Sequence, residues 1–236
     1  MSIEYPEKMK TENHDKMPHL IVMLTHNDYT AKNASEIFEE CKNSDALFWG
    51  MKEKGISHEE MKHLFSRMKE YGKTTFLEIV GYTETEGLKG AELALECGCD
   101  YVMGAKFFPS ISKYCKENNI KYLPFVGQPT GRPSVLNGTI EEIVEETKKV
   151  VNDGAFGVDL LGYRFTGNPV ELNKKVVEET GVPVCIAGSI DNYDRLDEVK
   201  KIMPWSFTIG SAFFNNKFGA SFCEQINKVI AYINQN

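Results

Sequence analysis

Short apolar segments alternate regularly with amphipathic ones along this chain, and that alternation constrains the fold more than any other feature. Eight segments have the length and composition of strands: Leu20–Leu24, Ala46–Trp49, Thr74–Val80, Tyr101–Met103, Lys121–Val126, Gly157–Leu161, Pro183–Ala187 and Ser206–Ile209. Several of them lack a clean period of two, which is typical of strands covered by helices. Strands separated by helices pair in parallel, because each connection must cross over.

The segments between the strands carry signals for helix starts. Ser57–Glu60, Thr83–Glu86 and Thr139–Glu142 each match a capping box, in which a hydroxyl and a carboxylate bond to backbone N–H groups without helical partners. Asn168 followed by Pro169 predicts an N-cap with proline at the first helical position. Each signal precedes a run of apolar residues at helical spacing.

Eight strand-then-helix units in a chain of 236 residues predict an α/β protein with a single (β/α)8 barrel, the TIM-barrel architecture. We expect the barrel domain to span residues 19–236 and to follow an N-terminal extension, residues 1–18. A doubly wound sheet is the main alternative. The first strand is followed by Thr25-His26-Asn27-Asp28 rather than by a GxGxxG turn, which disfavours that alternative.

Composition limits the partners and the compartment. The chain has 27 Lys plus Arg against 34 Asp plus Glu, a net charge of −7, which argues against nucleic acid as a partner. No apolar run reaches membrane-spanning length and no signal-peptide core opens the chain, so we expect a cytoplasmic protein that does not bind membranes. We therefore expect its six cysteines to be reduced. Barrels of this size often dimerise, so a homo-oligomer stays open.

Two glycine-containing turns give the sharpest functional signal. The seventh strand ends in Gly188-Ser189 and the eighth ends in Gly210-Ser211. Glycine lets the backbone come close to phosphate oxygens, and a helix start adds aligned N–H groups. Barrel enzymes often hold phosphate at these two turns. Tight turns without a ligand are the alternative.

These turns resemble those of the phosphate-binding superfamily of TIM barrels, the ribulose-phosphate-binding type. The resemblance implies that Gly188, Ser189, Gly210 and Ser211 bind the phosphate of a small metabolite. The stretch Asp159–Arg164 is faintly similar to a strand of the N-acetylmannosamine-6-phosphate epimerases, which differ in having a Glu in the seventh turn. The keto-deoxy-phosphogluconate and keto-hydroxyglutarate aldolases are similar in barrel size and phosphate turns, but they carry a lysine in the sixth strand where this chain has Asp159.

Three charged residues in or after predicted strands are the candidates for catalysis. Glu78 lies within an apolar strand, where an outward carboxylate would be costly, so we expect it to point into the barrel as a general acid or base. Asp159 follows the same logic. Lys106 could pair with Glu78, stabilise developing negative charge or form an imine. The alternatives are a buried ion pair, a satisfied interior hydrogen bond and a solvated loop lysine, respectively.

Other strand ends supply candidates for substrate binding, namely His26, Asn27, Asp28, Gln128 and Arg164. Lys52 is a weaker candidate, because Glu53 and Lys54 beside it look like an ordinary charged loop. No spacing of His, Cys, Asp or Glu predicts a metal site, and the expected reactions require no cofactor. The long loop from Gly127 to Gly138 is either a lid or a simple insertion.

The sequence therefore predicts an enzyme that acts on a small phosphorylated sugar or keto acid by proton transfer next to a carbonyl, an isomerase or epimerase. Glu78 or Asp159 would be the base and Lys106 would stabilise the enediolate. One alternative is an aldolase that forms an imine on Lys106 or Lys52. Another is a non-catalytic protein that binds a phosphorylated metabolite.

Overall fold

The computed structural model of the protein describes residues 17–131 and 133–235. Most of the expected extension, residues 1–16, lies outside the described residues. In chain order the elements are β1 (His19–Met23), β2 (Thr25–His26), β3 (Tyr29–Thr30), α1 (Ala34–Cys41), β4 (Phe48–Lys52), α2 (His58–Glu70), β5 (Thr74–Ile79), α3 (Glu84–Glu96), β6 (Tyr101–Lys106), α4 (Pro109–Glu117), β7 (Lys121–Phe125), β8 (Gln128–Thr130), β9 (Val135–Asn137), α5 (Ile140–Asn152), β10 (Val158–Leu160), α6 (Pro169–Thr180), β11 (Val184–Ile186), α7 (Tyr193–Ile202), β12 (Ser206–Ile209), α8 (Ser211–Phe214) and α9 (Phe222–Asn234).

Eight parallel strands close into a barrel in the order β1-β12-β11-β10-β7-β6-β5-β4. The first and last strands of the chain complete the closure, with Leu20 opposite Phe207 and Val22 opposite Ile209. Each predicted strand segment overlaps one of these eight strands. The expected (β/α)8 barrel is confirmed.

The helix starts follow the local signals in the sequence. Ser57, Thr83 and Thr139 each form a full capping box, with the hydroxyl and the carboxylate three residues later both engaged. Asn168 caps α6 and accepts from the N–H of Glu171, while Pro169 takes the first helical position. These caps fix where each helix leaves the upper rim of the barrel, the rim formed by the carboxyl ends of the strands.

Aromatic rings fill the opposite end of the barrel. We call Phe48, Phe76, Tyr101, Phe156 and Trp205 the aromatic plug. Phe76 stacks on Tyr101 with ring centroids 4.4 Å apart and lies 5.2 Å from Phe48. Trp205 lies within 6.4 Å of each of the other four rings. The plug fills the interior of the barrel at the lower end.

Two small antiparallel hairpins lie at the upper rim. In the first, β2 and β3 pair His26 with Tyr29 across a two-residue turn of Asn27 and Asp28, which have φ values of 50° and 66°. Positive φ at both positions is the type I′ geometry that matches strand twist, and Asn and Asp tolerate it. In the second, β8 and β9 occupy the predicted loop between Gly127 and Gly138.

One disulfide corrects the expectation that all cysteines are reduced. Cys41 at the end of α1 is bonded to Cys223 in α9, 182 residues later. Barrel closure brings the first and last helices together, which no local spacing of cysteines could indicate. Four cysteines, Cys97, Cys99, Cys115 and Cys185, are free and buried. Within the described ranges, no helix is both long enough and apolar enough to span a membrane.

Candidate functional site

A cavity of about 270 Å³ opens at the upper rim, inside the ring of strand ends. Its walls come from most of the barrel strands and from the turns that follow them. They include Asp28, Lys52 and Glu78 on one side, and Gly188, Ser189, Gly210 and Ser211 on the other. The cavity is the size of a small metabolite and combines an ion-pair cluster with the two glycine turns.

Lys52 lies at the centre of the ion-pair cluster. Its Nζ is 2.9 Å from Asp28 Oδ1 and 3.3 Å from Glu78 Oε1. The Lys52 and Glu78 side chains are only 10% and 14% exposed. Charges this poorly hydrated are costly unless they are paired, and the three side chains satisfy one another.

The positions of the backbone explain why these three side chains lie together. β4 and β5 pair in a register that places Lys52 directly opposite Glu78. Thr30 anchors the β2–β3 hairpin to the end of β4, since its hydroxyl donates to the carbonyl of Lys52 and accepts from the Lys52 N–H. The anchored turn carries Asp28 over the Lys52 ammonium.

A glycine permits this anchoring. Gly55 has a φ of 123°, and a Cβ built there would lie 2.2 Å from the carbonyl oxygen of Thr30. Any other residue would be strained in that conformation and would push the hairpin away. Gly55 thus contributes to the position of Asp28 without contacting it.

The cluster keeps its lysine charged. Burial alone would lower the pKa of Lys52, but the carboxylates of Glu78 and Asp28 outweigh it, and the pKa is raised above the ordinary lysine value. Lys52 is therefore an ammonium at neutral pH. It can stabilise an oxyanion, whereas a nucleophilic amine would require the opposite shift.

Asp159 lies in β10 and is 1% exposed. Neither of its carboxylate oxygens has a hydrogen-bond partner of good geometry among the described residues. Burial and the nearby charge of Glu78 raise its pKa well above the usual range, although Lys52, Arg164 and the Gly104 N–H act in the opposite direction. This shift of the pKa favours the neutral form of the Asp159 carboxyl, which is enclosed in the barrel. Asp159 does not line the cavity, which corrects the prediction that it could act as the base.

The two glycine turns offer backbone donors. Gly188 has a φ of 112°, and its carbonyl accepts from the N–H of Ile190, which closes the turn. Within residues 17–131 and 133–235, the N–H groups of Ser189, Ser211 and Ala212 have no hydrogen-bond partner. Free N–H groups on a cavity wall can bind the oxygens of an anion.

Cations also border the glycine turns. Arg164, in the 3₁₀ turn after β10, and Lys217, after α8, both line the cavity. A Cβ at Gly188 would lie 3.3 Å from Arg164 Cγ, so the glycine allows this arginine to pack under the turn. Asp191 lines the same wall, with its carboxylate 3.4 Å from Arg195. Two cations and several free donors make this side suitable for a phosphate.

Three of the predicted binding residues lie away from the cavity. His26 stacks on Phe214, with ring centroids 5.0 Å apart, on the outer side of the β2–β3 hairpin. Asn27 is exposed and donates its backbone N–H to Ser211 Oγ at 3.3 Å. Gln128 begins β8, where it is exposed and faces away from the cavity wall. Turn and hairpin geometry, which strand counting does not provide, causes all three differences.

The predicted role of Lys106 also has to be corrected. The predicted pair with Glu78 does not form, because Glu78 binds Lys52 on the neighbouring strand instead. Lys106 is half-buried at the end of β6 and does not line the cavity. The sequence analysis undervalued Lys52 because of its charged neighbours. The signal that could have found it is position: Lys52 and Glu78 both lie at the upper ends of neighbouring strands.

In the described part of the chain, no group of three or more His, Cys, Asp or Glu side chains is arranged to hold a metal ion. The chemistry available at the cavity is that of Glu78, Lys52 and Asp28, together with the donors of the glycine turns.

No family model matches the chain, and no curated protein sequence is significantly similar to it. Solved structures do resemble it. A 4-hydroxy-2-oxoglutarate and 2-dehydro-3-deoxyphosphogluconate aldolase has a TM-score of 0.64 at 13% identity, over 91% of this chain and 94% of that one. The N-(5'-phosphoribosyl)anthranilate isomerase of Pyrococcus furiosus has a TM-score of 0.63 at 13% identity, over 92% and 98%.

The orotidine 5'-phosphate decarboxylase of Lactobacillus acidophilus has a TM-score of 0.64 at 12% identity, over 93% of this chain and all of that one. The fold is a TIM barrel. Each of these three enzymes is named for a phosphorylated compound, and their reactions differ: aldol cleavage, isomerisation and decarboxylation. At this level of identity, the likeness establishes the architecture and leaves the reaction to be argued from the site.

Proposed function

We propose that the protein is an enzyme that binds a small phosphorylated carbonyl compound and transfers a proton next to the carbonyl, as an isomerase or epimerase. The observation that carries this proposal is the arrangement of one cavity. A carboxylate and an ammonium, Glu78 and Lys52, lie 3.3 Å apart on one wall. Two glycine turns with free N–H groups form another wall.

The phosphate binds between the glycine turns. The N–H groups of Ser189, Ser211 and Ala212 donate to its oxygens, and Arg164 and Lys217 compensate its charge. This contact holds the rest of the molecule inside the ring of strand ends. Binding energy from the non-reacting phosphate positions the reacting carbons.

Glu78 and Lys52 then carry out the proton transfer. The Glu78 carboxylate removes a proton from the carbon next to the carbonyl, and the electron pair moves onto the carbonyl oxygen. The Lys52 ammonium stabilises the resulting enediolate. The hydroxyl proton of the enediolate then moves to the former carbonyl oxygen, and Glu78 returns the carbon-bound proton to the former carbonyl carbon, which gives the isomer. Return of that proton to the original carbon, without the shift between the oxygens, restores the substrate. Epimerisation needs a second proton donor on the opposite face.

Asp28 positions the lysine. Its bond of 2.9 Å holds the Lys52 ammonium at the cavity and favours the charged form. The same charge disfavours imine formation, because a lysine attacks a carbonyl only as the neutral amine. This reasoning favours proton transfer over the aldolase.

Ligand binding is tested first by thermal shift, against phosphorylated ketoses, aldoses and keto acids and against their dephosphorylated forms. A ligand at a hundred times its dissociation constant stabilises the folded state by about 2.7 kcal/mol. We expect stabilisation by one phosphorylated class and none by its dephosphorylated counterpart. If no phosphorylated compound stabilises the protein at millimolar concentration, the glycine turns are structural and the proposal fails.

The reaction is tested with the ligand that binds, by following exchange of its carbon-bound hydrogen with deuterium oxide. Glu78→Gln should keep binding and reduce exchange about 10²–10⁴-fold. Glu96→Gln, the same change at an exposed position of α3, is the control and should exchange like the wild type. Full exchange in Glu78→Gln contradicts the role of the base. A borohydride-trapped adduct on Lys52 would instead support the aldolase, and binding without turnover would support a binding protein.

A further inference from the structure

Strand β6 contains a bulge next to the cavity. Met103 pairs with Leu123 and Lys106 pairs with Phe125, so three steps along β6 match two steps along β7. The two residues between Met103 and Lys106, Gly104 and Ala105, lie opposite a single residue of β7 and have φ values of 74° and 52°. Left-handed backbone is unusual for alanine and is concentrated at functional sites.

The bulge changes which side chains face the barrel interior. Met103 and Leu123 belong to the inner cluster of the barrel, and strict alternation would place Ala105 inward and Lys106 outward. Instead, Ala105 is fully buried toward helix α3, where a Cβ at Gly87 would lie 3.6 Å from it. Lys106 takes the register position opposite Phe125, a residue of the cavity wall. Bulges commonly redirect a side chain in this way.

The bulge also borders the catalytic carboxylate. A Cβ at Gly104 would lie 2.4 Å from the carbonyl oxygen of Ile79 and 3.3 Å from Glu78 Cγ. Glycine is required there for the conformation and for the close approach. The bulge that sets the register position of Lys106 therefore packs directly against the residue proposed to move the proton.

Lys106 has a side chain available for a ligand. Among the residues that the structure describes, no hydrogen bond or ion pair engages its ammonium, in contrast to Lys52 with its two carboxylates. In the closed barrel, β6 is four strands from β12 in either direction. The strand that ends in Lys106 therefore stands opposite the strand that ends before Gly210 and Ser211.

We propose that Lys106 binds a second anionic group of the substrate, a carboxylate or a second phosphate, at the end opposite the phosphate held by the glycine turns. The substrate then spans the mouth of the barrel, with its reacting carbons between the two anions and close to Glu78. Lys106 is a specificity-determining residue in this arrangement, and it takes no part in the proton transfer. This inference rests on the proposed function and adds the class of substrate.

The test compares three ligands that share a six-carbon chain: sorbitol 6-phosphate, 6-phosphogluconate and sorbitol 1,6-bisphosphate. Calorimetry gives the dissociation constant of each for the wild type, Lys106→Met, Lys106→Arg and the control Lys116→Met on exposed α4. We expect the wild type to bind at least one of the two ligands that carry a second anionic group about tenfold more tightly than sorbitol 6-phosphate. Which one gains affinity identifies the second group as carboxylate or phosphate.

Lys106→Met should abolish that preference and leave the affinity for sorbitol 6-phosphate unchanged, while Lys106→Arg and Lys116→Met should retain it. If Lys106→Met keeps the preference, or if the wild type shows none while binding sorbitol 6-phosphate, the second-anion proposal is wrong and the proposed phosphate site stands. If the wild type binds none of the three ligands, the second-anion proposal fails, and the thermal-shift screen alone decides the proposed phosphate site. Circular dichroism of each variant shows that a loss is not due to unfolding.

Discussion

The two ends of the barrel are built from the same strands and have opposite character. β4 begins with Phe48 in the aromatic plug and ends with Lys52 in the ion-pair cluster. β5 places Phe76 in the plug and Glu78, two residues later, at the cavity. Two residues along one strand are enough to pass from a closed apolar end to an open charged one.

Because of this difference, the lower end contributes mainly to the stability of the fold, and the upper end contains the groups that are available for chemistry. The plug gains free energy from ring packing and burial, and all five of its side chains are aromatic rings without a carboxylate or an ammonium. The upper end contains Lys52, Glu78 and the unpartnered carboxyl of Asp159, all of which are costly to bury. The stability contributed by the lower end therefore offsets the cost of burying the charges at the upper end. Three predictions test that separation.

The largest expected effect is at the plug. Phe76→Ala removes a fully buried ring that stacks on Tyr101. Such truncations leave a cavity, so the free energy of unfolding should fall by about 3–5 kcal/mol in urea titrations. Because Phe76 lies below the site, the folded variant should keep the wild-type dissociation constant for any phosphorylated ligand found in the screen.

Tyr29→Ala is the control for that prediction. Tyr29 is 58% exposed on the β2–β3 hairpin, and its truncation should change stability by less than about 0.5 kcal/mol. If Phe76→Ala weakens ligand binding while the protein remains folded, the two ends are coupled and the proposed separation is wrong.

The second prediction concerns the covalent link between the first and last helices. Removing the Cys41–Cys223 disulfide, by a thiol reductant or by the double change Cys41→Ser and Cys223→Ser, should cost about 2–4 kcal/mol of stability. The link closes a long loop and lies among the helices, away from the cavity. We therefore expect ligand affinity to stay unchanged.

The double variant supplies its own control, because it retains the four buried free cysteines. Reductant should destabilise the wild type and have no effect on the double variant. Equal sensitivity of the two proteins would show that the effect comes from another thiol. A change in ligand affinity on reduction would show that the link between helices α1 and α9 supports the site.

Local signals were enough to predict the barrel. Each strand segment and each capping box is a property of a few consecutive residues, and the capping oxygen of Ser57 bonds within its own turn. The glycine turns could be located for the same reason, because they directly follow strands whose order along the chain is known. The parallel pairing of β11 with β12 then places Gly188 and Gly210 on the same cavity wall.

The ion-pair cluster could not be predicted in this way. Asp28 reaches Lys52 only because a two-residue turn and the Thr30 anchor set the angle of the hairpin. The bulge at Gly104 reverses the side of the strand on which Lys106 lies, and simple alternation does not foresee it. The Asn27-Asp28 pair between short β-prone dipeptides is the one local signal of the hairpin that strand counting overlooked.

The last prediction concerns the free-energy cost of burying Asp159 at the upper end of the barrel. Burial raises the pKa of Asp159 well above its usual value near 4, so the folded protein holds a proton that the unfolded chain releases. Stability should therefore be greatest below that value and fall as pH rises toward the pKa in the folded state. The loss amounts to at most about 1.4 kcal/mol per pH unit for one proton. Asp159→Asn keeps the shape, cannot ionise, and should remove this dependence.

Urea titrations of the wild type and Asp159→Asn from pH 4 to pH 8 measure the difference directly. The variant should be the more stable protein at neutral pH, and its advantage should shrink as the pH falls toward 4. Asp45→Asn, the same change at an exposed position, should follow the wild-type curve. Parallel curves for the wild type and Asp159→Asn would mean that Asp159 is ionised in the folded barrel. The positive charges of Lys52 and Arg164 would then have to compensate both Asp159 and Glu78, and the Lys52 ammonium would be less available to an enediolate.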